Sequence, residues 1–109
     1  ALDAGIAATK PGNTADDVAQ KFWAVLDKYN IKKESRTGYS IGIGYPPDWG
    51  EHTLNIYKGD MTVLQPNVCF HMIAVMQFGE WGVEASESVR VVENGSELFC
   101  NFPRELCIK

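Results

Sequence analysis

Apolar residues recur along this chain first at helical spacing and then at every second position. Leu2, Ile6 and Ala7 share a helical face over Ala1–Thr9, and Lys10-Pro11-Gly12-Asn13 ends it. Thr14 then offers an N-cap hydroxyl, with Asp17 three residues on at the capping-box position. Val18, Phe22, Val25, Leu26 and Tyr29 follow at i, i+4, i+7, i+8 and i+11, which predicts a second helix to about Tyr29 with that stripe in the core. Asp16, Gln20 and Asp27 fall on its other face.

Beyond the charged connector Ile31–Ser35 the period changes to two. In Arg36–Glu51, Tyr39, Ile41, Ile43 and Tyr45 alternate with Ser40, Gly42 and Gly44, so one face of the predicted strand is bulky and the other nearly bare. Glycine inside a strand marks a bulge or the close approach of a backbone or ligand. Pro46-Pro47-Asp48-Trp49-Gly50 reads as a rigid turn. The stretch fits a pocket wall, and equally a sheet edge packed under a helix. His52–Tyr57 fits a short strand or an irregular edge. Lys58-Gly59-Asp60 and Gln65-Pro66-Asn67 are turns around the brief extended piece Thr62–Leu64. Val68–Gln77 is a strand with Val68, Phe70, Met72 and Ala74 on one face and Cys69, His71, Ile73 and Val75 on the other. Phe78–Gly82 is a hairpin connection into the strand Val83–Val92. Asn94-Gly95 turns into a last strand, Glu97–Asn101, before an irregular end. Two helices followed by antiparallel strands predict a single α+β domain over residues 1–109, with the helices on one face of the sheet.

Composition narrows the function classes. With 109 residues and 45% hydrophobic content the chain is long enough for one modest core. A net charge of −4 and scattered lysines and arginines argue against a nucleic-acid partner. No apolar run is long enough for a membrane span, and the start lacks the basic leader of a signal peptide. Cys69, Cys100 and Cys107 have no close CxxC spacing, which points to small apolar residues in a reducing compartment, the cytoplasm by default. The chain opens inside helix-compatible sequence without Met, from which a fragment or a processed chain is expected.

The blocks KPGNTADDV, RTGYSIGIG, TVLQPNVCFHM and WGVEASESVRVVENG, in this order around two helices, resemble the second half of the pita-bread fold of the creatinase, aminopeptidase P and prolidase family. GYSIGIGYPPDWGE and FPRELCIK resemble its ectoine hydrolase-like members in particular. The resemblance implies that the other half of the fold lies outside this chain. It also implies hydrolysis of a small or dipeptide-like substrate. In the family's metallopeptidases this half carries a ligand His in G-H-x-x-G and ligand glutamates in T-I-E-P and R-I-E-D. Carried over, the first two positions are Tyr39 and Ile73, the third falls near Ser86 with Glu84 and Glu87 on either side, and a further substrate-binding His matches Pro46. Phenol is a poor ligand and isoleucine none, so the expectation is no cofactor, no metal site and chemistry of the metal-free creatinase kind.

Four residues are candidates for that chemistry. His71 lies mid-strand among apolar neighbours, where it is either a base or a satisfied core histidine. Alternation turns Glu87 inward, and a buried carboxylate is either paired or pushed towards acid/base work. With Glu84 and His71 on adjacent strands, and Tyr39 donating a hydrogen bond from a third, an acid/base cluster is one arrangement. Glutamates that are solvated, or salt-bridged to Arg90 or Arg36, are the other. Arg36, Trp49 and Trp81 are candidate substrate-binding residues, the two tryptophans through their π faces, although each also fits a plug at a strand end. Half a site and an open sheet lead to an expectation of self-association, or of association with the missing half.

Overall fold

The computed structural model spans Ala1–Lys109. Its elements are α1 (Leu2–Ala8), α2 (Ala15–Lys28), β1 (Gly38–Tyr45), β2 (Asp48–Ile56), β3 (Cys69–Phe78), β4 (Trp81–Val92) and β5 (Gly95–Leu98). The strands form one antiparallel sheet in the order β2-β1-β3-β4-β5, with both helices on one face. No helix is long and apolar enough to cross a membrane.

The capping box at the start of α2 forms as its residues predict. Thr14 Oγ1 accepts from the Asp17 N–H at 3.1 Å, and the Asp17 carboxylate accepts from the Thr14 N–H at 2.8 Å. These hydrogen bonds hold the Asp17 carboxyl below the usual carboxylate range. Asp60–Leu64 then runs back along this helix start. Leu64 N–H donates to the Asn13 carbonyl, and Ala15 N–H and Asp16 N–H donate to the carbonyls of Thr62 and Asp60. The carbonyls of Asp60 and Thr62 therefore serve the otherwise unpaired first N–H groups of α2. Asp60, expected in a solvated turn, instead accepts from the Asn55 and Thr62 N–H groups.

Two helical faces differ from their sequence reading. On α1 the buried positions are Leu2, Gly5 and Ala8, and Ala7 is exposed. Gly5 is bare because Met72 of β3 lies against it; a Cβ there would stand 2.7 Å from the thioether sulfur. On α2 the stripe of Val18, Phe22 and Leu26 is buried, but Tyr29 is 73% exposed at the C-cap, where the chain leaves the helix. Trp23 takes the last core place, its indole N–H donating to the Lys33 carbonyl at 2.8 Å. Phe22, Phe70, Ile56, Leu64 and Met72 are fully buried between helices and sheet. Each such side chain contributes about 1.5–3 kcal/mol through area removed from water.

The two hairpins differ in regularity. β3 and β4 pair without interruption from Cys69↔Arg90 to Phe78↔Trp81, so the turn is only Gly79-Glu80. β1 pairs with β3 only at Gly38–Ser40, and its register against β2 shifts twice. Asp48, Trp49 and Gly50 belong to β2, which leaves Pro46-Pro47 alone as the connection. The bare face of β1 is filled from within the hairpin: Cβ atoms on Gly42 and Gly44 would stand about 3 Å from the Glu51 side chain, whose Oε1 accepts from the Gly44 N–H. At the other edge Val92 pairs with Gly95, so Glu93-Asn94 makes the turn and β5 starts two residues earlier than its pattern predicts. Cys100 and Cys107 are exposed in the irregular end, outside the core expected for them; Cys69 is half-buried.

Gly38 sets the closest approach of β1 to β3. A Cβ there would meet the His71 carbonyl at 2.8 Å and the Ile56 side chain at 2.9 Å. Because one obstacle is backbone, Gly38→Ala is expected to destabilise the fold by about 1–3 kcal/mol, read as a lower urea midpoint at unchanged slope. Gly59→Asn at an open, positive-φ turn serves as the mild comparison.

Candidate active site

The pleat of β3 and β4 sorts their side chains onto two faces. Towards the helices point Phe70, Met72 and Ala74 with their partners Val89, Glu87 and Ala85. On the opposite face His71 stands across from Ser88, Ile73 from Ser86 and Val75 from Glu84. β1 adds Tyr39 beside His71. The three positions that the resemblance assigns to metal ligands, Tyr39, Ile73 and Ser86, therefore share the face that carries no helix. A phenol, a hydrocarbon and an aliphatic hydroxyl make a donor set that does not fit a divalent metal, and no group of three His, Cys, Asp or Glu side chains lies together elsewhere.

Beside these positions a cleft of about 340 Å³ is lined by Tyr39, Ile41, Gly42, Gly44, Trp49, His71 and Ser88. His71 Nδ1 lies 3.0 Å from Ser88 Oγ, and the Tyr39 and His71 rings are 5.7 Å apart and tilted. Arg36 crosses over the Tyr39 ring at 4.8 Å while its guanidinium donates to the Asn55 side-chain carbonyl at 2.6 Å. Burial pushes His71 below its ordinary 6.5, against the opposing pull of Glu84 and Glu87. The imidazole is then neutral near pH 7. In the tautomer that donates Nδ1–H to Ser88, the lone pair of Nε2 is free to take a proton.

The structure brings Tyr39, His71 and Trp49 to one cleft, while Arg36 lies over the Tyr39 ring and borders a separate cleft with Asn55 and Tyr57. Glu87 is turned inward, as alternation predicts, and that turn takes it off the His71 face. It is 6% exposed and meets Arg104 Nε at 3.3 Å, while Arg104 also reaches Asp3 of α1 at 2.7 Å. Neither Arg90 nor Arg36 is its partner: Arg90 pairs with Glu97, and Arg36 bonds Asn55. Glu84 is on the His71 face, four residues along β4 from Ser88, and acts on His71 through its charge without a hydrogen bond between them. No hydrogen bond joins Glu84 or Glu87 to His71 or Tyr39: period two places the two glutamates on opposite faces, Glu87 is paired with Arg104, and both act on His71 only through their charge. Trp81 stacks on Phe78 at 4.5 Å at the far tip of the hairpin, away from the cleft. His52 pairs with Asp48 at the surface, and the bond from the Gly50 N–H followed by that from His52 holds the Asp48 carboxyl low. Ser88 was not a candidate; only the register of β3 on β4 reveals it as the partner of His71.

The model for metallopeptidase family M24 matches residues 1–93. The chain belongs to this family. The M24 chain is 40% identical over 109 residues to the ectoine hydrolase of Halomonas elongata, covering 99% of this chain and 27% of the relative. It is 41% identical to an uncharacterized hydrolase/peptidase of Sinorhizobium fredii, again covering 27% of that protein. The M24 chain thus spans about a quarter of the length of these relatives. Among solved structures it resembles the dipeptidase PepE from Mycobacterium ulcerans, with TM-score 0.87 and 30% identity over 96% of this chain and 28% of that one. It also shares the fold of the prolidase from Pyrococcus furiosus, with TM-score 0.84 and 21% identity over 94% of this chain and 30% of that one. The expected half of a pita-bread fold, two helices on an antiparallel sheet, is what these neighbours share with it.

A depressed His71 pKa has a pH signature. The unfolded chain takes up the His71 proton at 6.5 and the folded chain only at lower pH, so this residue's contribution to stability falls as pH drops below about 6.5. An NMR titration is expected to place His71 below 6.5, and His71→Asn is expected to flatten the loss of stability on mild acidification.

Proposed function

We propose that this chain forms one wall of the active site of an M24-family hydrolase that cleaves a C–N bond of a small substrate without a metal ion. The observation that carries this reading is the arrangement on the open face. His71 and its partner Ser88 border the cleft, and the nearby ligand positions of the metallopeptidases hold Tyr39, Ile73 and Ser86. His71 Nε2 takes a proton from the attacking water, whose oxygen adds to the electrophilic carbon, and later returns it to the departing nitrogen. Ser88 holds the imidazole in the tautomer this requires. Tyr39 donates a hydrogen bond to the heteroatom on which negative charge develops. Arg36 and Trp49, beside Tyr39, bind the substrate. Glu84, without a hydrogen bond to His71, acts on it through its charge alone, and Glu87 acts through its pairing with Arg104 by holding β4 in place. The likeness to an ectoine hydrolase and to a dipeptidase supports a small cyclic amidine or a dipeptide-like molecule as substrate. Three cysteines without a disulfide support a cytoplasmic setting.

In the complete protein that carries this chain, His71→Asn is expected to lower kcat by about 100-fold or more, with ectoine and an Xaa-Pro dipeptide as test substrates. Chelation is expected to leave turnover unchanged. Stoichiometric Mn, Co or Zn by elemental analysis, with activity lost on chelation, overturns the metal-free reading. Glu87→Gln is expected to reduce stability; loss of turnover at unchanged stability would return Glu87 to the chemistry.

A second reading, a non-catalytic domain that works through association, is favoured by the apolar side chains at the hairpin ends. Ile43 is 96% exposed, and Tyr45 and Trp81 are exposed with it. The partner is a second copy or the remaining half of the fold. Light scattering is expected to show a mass that rises with concentration, and a constant monomer mass at high concentration counts against it.

A further inference from the structure

Lys33 lies in the connector between α2 and β1 and is only 9% exposed, an unusual place for a lysine. Its backbone is held by the indole of Trp23, which donates to the Lys33 carbonyl. Its amine lies 2.6 Å from Ser35 Oγ and 3.2 Å from the Val75 carbonyl oxygen on β3. β1 pairs with β3 only as far as Met72, so the connector serves the exposed edge beyond. Thr37 Oγ1 donates to the Ile73 carbonyl at 2.9 Å, and the Lys33 amine serves that of Val75. No carboxylate stands within 4 Å of Lys33. A cleft of about 310 Å³ opens beside the amine, bordered by Lys32, Glu34, Ser35, Met76 and Gln77.

We propose that Lys33 is a nucleophilic modification site that accepts a short acyl group from an acyl phosphate. A buried ammonium without a counter-ion favours its neutral form, which carries the lone pair needed for attack, and burial accordingly lowers the affinity of Lys33 for its proton. The present partners also suit the product. An amide has one N–H, which the Val75 carbonyl accepts, and one carbonyl, to which the Ser35 hydroxyl donates. Acylation would thus replace a poorly compensated charge by a neutral group with both hydrogen-bonding functions satisfied. Ser35 is exposed, so the reagent reaches the amine past its hydroxyl, and Lys32 offsets the Glu34 charge at the mouth of the cleft. In the reaction the Nζ lone pair attacks the acyl carbon, the C–N bond forms and the bond from carbon to phosphate oxygen breaks. The phosphate departs with the bonding pair and takes up the proton released from nitrogen, relayed by Ser35.

The test exposes the folded protein to acetyl phosphate at mildly alkaline pH and follows each lysine by peptide mass spectrometry. Lys33 is expected to acetylate severalfold faster than the exposed Lys21 and Lys28 in the same sample. That excess is expected to disappear in concentrated urea and to shrink in Ser35→Ala. A Lys33 rate at or below those of Lys21 and Lys28, or an excess that persists in urea, overturns the proposal.

Discussion

The uninterrupted antiparallel pairing of β3 with β4 is the constraint on which the other parts depend. Phe70, Met72 and Val89 are held against the helices, so a slip of one residue would expose this set and bury its neighbours. The same packing therefore puts His71 and Ser88 opposite one another on the far face. A property of the core, the identity of its buried face, thus determines which polar side chains meet on the face without helices.

β1 and β2 behave differently because little packs against their far ends. Where β1 lies under α1 and α2, Gly38 and Ser40 are buried and the ladder is regular. Past Tyr39 the register against β2 shifts twice, and Glu51 folds back into the space left by Gly42 and Gly44. The base of this hairpin carries Tyr39 and its outer part carries Trp49, so the cleft between them joins a rigid floor to a less tightly packed rim. The buried charges also follow their surroundings. Glu87 is paired with an arginine seventeen positions further on, whereas Lys33 meets only a hydroxyl and a carbonyl and no carboxylate.

Wherever burial followed from local periodicity, the elements could be read directly. The Thr14–Asp17 capping box, the Val18, Phe22 and Leu26 stripe and both faces of Val68–Gln77 needed no tertiary information. The readings that failed concern residues at element ends or in long-range partnerships. Tyr29 fits the helical stripe but falls at the cap, where the chain turns away. Asp48-Trp49-Gly50 carries turn residues, yet pairing with β1 draws it into a strand, since propensity yields to the ladder.

By itself the sequence determined the order of helices and strands and the alternation of β3 and β4, and it put Tyr39, Ile73 and Ser86 at or near the positions that the resemblance assigns to metal ligands. These are local properties, set by spacing along one chain. Only the tertiary structure decided that Ser88 meets His71, that Glu87 is committed to Arg104 rather than to the cleft, and that Trp49 joins the site while Trp81 does not. Each of these depends on strand register or on a contact between distant segments. Residue identity sets neither alone: register comes from burying one whole face of the sheet at once.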